Sequence, residues 1–309
     1  MPIPNRYCIS FAIRIGARLP NEGGRRMIRR TVVLTAVIIG GFTSAPALAD
    51  ENTFAYSYGS ETLPNGGTEA YLWATDRRGK GAGDYAAQDY KFELEHGFSN
   101  RFQSSVYVNF VSHHINGLEP ELDNQNRNFA WNGMQASFKY AFTSPYKDGI
   151  GVALYVEPGF ARYSKKSGER ENQVSLETKL LLQKNLMADK LIWVSNVSAE
   201  QEFAHEGGGD WESELEFELS TGLAYNIAPG LHVGAEGRYT AAYENFPNEF
   251  KRADYAFFAG PTIHYATRKW WATLSYQPQI AGGPKVRSGS RNLADYEKRE
   301  VRLKLGYNF

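Results

Sequence analysis

The sequence predicts an all-β fold, a transmembrane antiparallel up-and-down β-barrel of about 12 strands preceded by a cleaved export signal. Three observations carry this expectation. Segments of alternating apolar and polar residues recur along the chain, the period of a strand with two different faces. The links between them alternate between short and long, as in a meander with turns at one end and loops at the other. Several segments exceed the roughly 5–6 residues usual in soluble sheets, whereas a tilted membrane strand needs about 9–11.

Residues 1–49 are read as an N-terminal extension and signal peptide. Arg25, Arg26, Arg29 and Arg30 form a positive region, Val32 to Phe42 an apolar stretch, and Ala47-Leu48-Ala49 a small-residue cleavage site. Translation is expected to start at Met27 and cleavage to fall before Asp50, leaving 50–309 as one barrel domain. The sequence as a whole is neutral, but its first 49 residues hold seven Arg and one Glu. The mature part then has 27 basic and 33 acidic residues, a net charge of −6, so no nucleic-acid partner is expected. Cys8, the only cysteine, falls in the removed part, which excludes disulfides, thiol chemistry and cysteine-bound metal. After residue 50 no apolar run reaches the roughly 18 residues of a membrane helix.

The strands are expected at 69–76, 88–97, 102–111, 131–142, 150–163, 173–184, 191–203, 211–227, 231–243, 255–265, 270–281 and 299–309. In 69–76 the large neighbours Leu72 and Trp73 leave the facing open. Pro158-Gly159 predicts a bulge in its strand. The clearest alternation is in 211–227. There Trp211, Leu215, Phe217, Leu219, Leu223, Tyr225 and Ile227 oppose Glu212, Glu214, Glu216 and Glu218. A helix would scatter those glutamates, but a strand aligns them on one face. After the turn Ala228-Pro229-Gly230, Leu231, Val233 and Ala235 oppose His232, Gly234, Glu236 and Arg238. In the last segment Val301, Leu303, Leu305, Tyr307 and Phe309 oppose Arg302 and Lys304.

Short links are expected at 98–101, 143–149, 185–190, 227–230 and 266–269, longer polar ones at 77–87, 112–130, 164–172, 204–210, 244–254 and 282–296. The layout is that of outer-membrane barrels with periplasmic turns, and an even strand count puts both termini on that side. Backbone groups in lipid must all be paired, so such a sheet must close. Phe98, Phe102, Phe142, Tyr146, Tyr225, Tyr265, Trp270, Tyr307 and Phe309 gather at the short-turn ends, as an aromatic girdle at one lipid–water boundary would.

The segment from Arg299 to Phe309 resembles the C-terminal strand signature of Gram-negative outer-membrane barrels. That resemblance implies recognition by the barrel-assembly machinery through Val301, Leu303, Leu305, Tyr307 and the terminal Phe309. Glu61-Thr62-Leu63-Pro64-Asn65-Gly66-Gly67 resembles the opening of porin-like barrels, among them outer-membrane transporters linked with phenol degradation.

With the apolar face towards lipid, the interior set is Glu93, Glu95, Glu177, Lys179, Glu200, Glu202, Glu212, Glu214, Glu216, Glu218, Glu236, Arg238, Arg302 and Lys304, with Lys91 and Lys139 beside them. Buried charges survive only when paired or hydrated. They indicate either a narrow porin-like pore for small solutes with an acidic, cation- or neutral-preferring wall, or a plugged, self-bridged barrel. An outer-membrane lipid hydrolase is a third reading and a loop-binding barrel a fourth. The hydrolase has little to work with. No Gly-x-Ser-x-Gly occurs, and Ser220 and His232 are expected about 17 Å apart along their hairpin. His113 and His114 are placed in the longest loop with Glu119, Glu121 and Asp123, and His232 and His264 in the wall near the turns. No catalytic residue, metal or cofactor is assigned. The expected partners are outer-membrane lipid and lipopolysaccharide, the assembly machinery and small solutes.

Overall fold

The structure, a computed structural model, describes residues 52–309 except 82, 118–123, 188–189, 206–210, 249 and 285–289. The predicted extension and signal peptide lie outside the described residues, as do Glu119, Glu121 and Asp123.

Twelve strands are described: β1 Thr68–Arg78, β2 Asp84–Ser99, β3 Phe102–Asn116, β4 Gln125–Thr143, β5 Gly151–Tyr163, β6 Arg170–Leu186, β7 Leu191–His205, β8 Trp211–Ala228, β9 Leu231–Glu244, β10 Lys251–Ala266, β11 Trp270–Gly283 and β12 Arg299–Asn308. Each pairs antiparallel with its neighbours in sequence. β1 closes on β12 in a register running from Glu69↔Asn308 to Arg78↔Arg299. Closure removes both sheet edges, so the ladder satisfies backbone donors and acceptors without water. Phe92, Leu94, Val106, Leu154, Leu180, Leu219, Ile263 and Leu305 stand exposed on the outer face. An exposed apolar area that wide marks a lipid contact.

All twelve predicted strands are present, but several run further towards the long-loop end. β2 begins at Asp84, β3 ends at Asn116, β4 begins at Gln125 and β10 at Lys251. The β4 extension Gln125-Asn126-Arg127-Asn128 is polar on both faces, while those of β2 and β3 bury together a small cluster of Tyr85, Ala87 and Ile115. Beyond the hydrocarbon the ladder needs no apolar face, so the hydropathy pattern fades before the pairing does. His113 and His114 accordingly belong to β3 and not to a loop. In β1 it is Trp73 that points inward and Leu72 outward. The bulge expected at Pro158-Gly159 lies further on, between Ala161 and Tyr163, and Pro158 keeps its register with Leu176. Proline lacks an N–H, but an outward-leaning ring does not push the strand out of step.

The predicted aromatic girdle is exposed around the short-turn ends, with Tyr265 against Trp270 and Tyr307 against Phe309. A second set stacks nearer the long loops, where Phe110 meets Phe129 at 4.6 Å and Tyr239 meets Phe257 at 4.7 Å. One register break requires glycine. Gly133 has φ +126°, and a Cβ there would stand 1.9 Å from the Phe160 carbonyl oxygen. Gly133→Ala is expected to cost about 1–3 kcal/mol, read as a lower urea midpoint of the folded barrel in micelles. Gly237→Ala, whose Cβ would meet nothing closer than 3.7 Å, should leave that midpoint in place.

Candidate functional site: the barrel lumen

Alternation turns the polar face of every strand into the barrel, so the lumen is built of charge. Cross-strand register then sets Glu157 opposite Glu177, Glu177 opposite Glu200, and Glu200 opposite Glu216. A row of directly opposed like charges is destabilising unless cations compensate it. Lys179 bonds Glu177 at 2.6 Å and Lys91 stands 3.9 Å from Glu157. Glu218 and Glu300 lie 3.5 and 2.6 Å from Arg238. Glu200, Glu202 and Glu216 each bring one carboxylate oxygen within 4.8 Å of the others, an arrangement able to hold a cation.

The predicted interior residues fall into two zones. Glu93, Glu95, Glu236 and Lys304 are buried in the half nearer the short turns. The other zone holds Glu177, Lys179, Glu200, Glu202, Glu214, Glu216, Glu218, Arg238 and Arg302, which border open space, while Glu212 stands exposed at the rim. Sequence reasoning missed Arg77, Asp89, Glu157 and Glu300, and also the inward aromatics Tyr71, Trp73, Tyr107, Tyr155, Phe258 and Trp271. Those aromatics sit at alternate positions with the charges, and their rings receive the cations: Lys304 lies 4.0 Å from the centre of Trp73.

The buried zone is filled by residues 52–63, which belong to no strand. Asn52 accepts from Lys304, and its carbonyl accepts from Thr273 at 2.6 Å. The segment rises to Tyr56, whose hydroxyl donates to Glu300 at 2.8 Å. It then descends past Asn196, which accepts from the Tyr58 N–H at 2.6 Å and donates to the Tyr58 carbonyl at 2.9 Å. The Ser60 N–H reaches Gln183 at 2.8 Å and the Leu63 N–H reaches Gln103 at 2.5 Å. At the top of this arch the Glu236 carboxylate accepts three successive backbone N–H groups, from Ala55 at 3.1 Å and from Tyr56 and Ser57 at 3.0 Å each. Phe54 lies against Val194 and Ala224 over Gly222, where any Cβ would come within 2.6 Å of its ring. The one advance signal was the run of aromatics at 54, 56 and 58, a short two-residue period ahead of the first strand.

A second element enters from the long-loop end. Residues 164–169 between β5 and β6 form a strap held at its carbonyls. Arg77 donates to the Lys165 carbonyl at 2.9 Å, Lys80 to that of Lys166 at 2.9 Å, and Arg127 to that of Gly168. On the opposite wall the Lys166 ammonium bonds Glu214 at 2.6 Å. The Glu216 carboxylate holds the Lys165 ammonium above the usual lysine range. Two cavities adjoin the strap. One of about 540 Å³ is bounded by Glu202, Glu214, Glu216, Thr240, Phe258 and Tyr296. The other, about 230 Å³, lies over the arch beside Tyr56, Tyr58, Trp73, Asp89, Lys91 and Glu200.

The strap's anchor is Arg77, which is 1% exposed and bonded to Asp89 at 2.7 Å, Glu297 at 2.6 Å and the Tyr85 hydroxyl at 2.7 Å. Burial alone would raise Glu297, but Arg77 and Lys80 overcome it and bring the carboxyl down to about 2. Burial lowers Lys80 to about 8.

A family model described as a family of unknown function (DUF6662) matches residues 46–309. The chain belongs to that family. The sequence has no match among curated proteins. Among solved structures, the barrel resembles the COG4313 outer membrane channel from Pseudomonas putida F1. The TM-score is 0.55 at 13% identity, over 81% of this chain and 98% of that one. It also resembles the β-domain of the Bordetella autotransporter BrkA, with TM-score 0.51 at 14% identity, over 79% and 100%. These likenesses are of fold: the protein shares with both the architecture of a closed antiparallel β-barrel.

The hydrolase geometry is not assembled at Ser220 and His232. Ser220 pairs with Arg238, six positions along β9 from His232, which faces Asn226. The turn closes at Ala228 and Leu231, which by itself would put Ser220 opposite Tyr239, and the bulge between Asn226 and Ala228 takes one position back. His232 lies beside His264, which shares a 2.7 Å hydrogen bond with Thr273.

Arg77→Met would take from the buried Glu297 and the half-buried Asp89 the guanidinium that both bond, at an expected cost of about 3–5 kcal/mol in urea unfolding. The Glu297 carboxyl is depressed in the fold, so its contribution is complete above its ordinary value of 4.5 and disappears as pH falls towards about 2. Across that window the wild-type urea midpoint should fall more steeply than that of Glu297→Gln.

Proposed function

We propose that this barrel is a narrow porin-like channel for small solutes whose lumen favours cations and neutral molecules. Delivered through the periplasm, it sits with its short turns on the periplasmic side and its long loops outside. The observation that carries this reading is the row of opposed carboxylates from Glu157 to Glu216 beside the open cavities. A wall that compensated itself completely would suit a solid barrel. Here the acidic groups outnumber the lysines and arginines beside them, and water and solute cations balance the remainder. The resemblance of 61–67 to transporters linked with phenol degradation supports a role in small-molecule uptake. On this reading, Val301, Leu303, Leu305, Tyr307 and Phe309, exposed or half-exposed on β12 and just past its end, are read by the assembly machinery. The outer face then meets lipid and lipopolysaccharide.

The arch and the strap favour a second reading, a barrel that rests closed. Planar-bilayer recording separates the two, with folding checked by heat-modifiable migration. Discrete cation-selective steps are expected. Changing Glu212, Glu214, Glu216 and Glu218 together to Gln should move the reversal potential under a salt gradient towards zero. Silence from the folded wild-type protein would remove the channel reading.

A further inference from the structure

The arch is bound to the wall in a different way from that in which the strands are bound to one another. Strands hold one another through backbone ladders that cannot open in lipid. Backbone groups of residues 52–63 bond wall side chains: Glu236, Asn196, Gln183, Gln103 and Thr273, and Arg302, which donates to the Ala55 carbonyl at 3.2 Å. Water can take over each of these in a hydrated lumen. The segment is tied covalently to β1 through the turn 64–67, where the Gly67 N–H bonds the Pro64 carbonyl at 2.8 Å.

The tip of the arch is its most specific contact. The Tyr56 ring lies between two guanidinium groups, Arg302 at 3.9 Å and Arg238 at 4.3 Å, and Arg238 in turn lies 4.4 Å from Phe258. If Tyr56 withdraws, Arg238 keeps Glu300 and Glu218. The seat can therefore empty with Arg238 still paired, while water that replaces the arch takes over the Glu236 carboxylate. Phe54, lodged over Gly222, is the second anchor.

We propose that residues 52–63 are a displaceable plug, an intramolecular ligand of the lumen, with Tyr56 between Arg238 and Arg302 as its latch. Its withdrawal opens the short-turn half of the barrel. This rests on the channel reading for its consequence, but displacement itself can be measured without conduction.

The test uses the full chain in a Cys8→Ser background. Ala55→Cys places a thiol where the wild-type side chain is 1% exposed, and its reaction with a membrane-impermeant maleimide reports departure of the arch. Adding Tyr56→Ala should raise the labelling rate at least tenfold and lengthen channel openings, and Tyr56→Phe should raise both less. In a separate variant, Phe54→Cys with Gly222→Cys sets a bridge, because a Cβ on Gly222 would lie 3.0 Å from Phe54 Cγ, where a cysteine sulfur would stand. Oxidised, that variant should be silent in the bilayer, and reductant should restore conductance. Labelling that rises with Tyr56→Ala while bilayers stay silent upholds the plug and removes the channel reading. Labelling unmoved by Tyr56→Ala, or discrete conductance steps that are the same with the bridge oxidised and reduced, overturns the plug.

Discussion

The pairing of β1 with β12 is the contact on which the rest of the molecule depends. Lipid offers no hydrogen-bond partner, so a sheet with an open edge would leave a column of unsatisfied N–H and C=O groups in hydrocarbon. Ten register pairs from Glu69↔Asn308 to Arg78↔Arg299 remove that edge. Once the sheet is closed, strand alternation has only two destinations, lipid and lumen. Leu303 and Leu305 go to the first, Arg302 and Lys304 to the second. The polar interior is therefore a consequence of closure as much as a functional choice.

An interior made that way has a charge problem, and the structure meets it by several means at once. Opposed glutamates on β5 to β8 are relieved by Lys179 on β6, by Lys91 on β2 and by Lys165 and Lys166 on the strap. Aromatic faces also receive cations, as Trp73 does Lys304. Glu236 takes a third course and binds backbone N–H groups of the arch. Both elements that fill the lumen, arch and strap, are thus held by the same currency of side-chain polar contacts. Such contacts exchange with water far more readily than a sheet ladder does.

How much was legible in advance follows from how far each interaction reaches. Every strand was visible because its signal is local: Trp211 to Ile227 alternates whatever surrounds it. The inward direction of Glu200, Glu214 and Arg238 followed from the same alternation. Strand ends beyond the membrane were not visible, since Gln125 to Asn128 carries no apolar face to mark a strand. That is also why His113 was placed in a loop. Arg77 escaped notice because its partners, Asp89, Glu297 and the Lys165 carbonyl, come from distant parts of the chain. The charge pairing of Glu216 with Lys165 has the same origin.

The sequence by itself determined the strand count, the two faces, the alternation of short and long links and the acidic character of the interior. These are properties of residues two apart or of neighbours in a hairpin, and the pleat imposes them without reference to the rest of the fold. Only the tertiary structure decided what occupies the lumen. Asn52 to Leu63 has no strand partner and no periodicity long enough to declare itself. Its place is set by side chains from β3, β6, β7, β9, β11 and β12 that converge only after the barrel has closed.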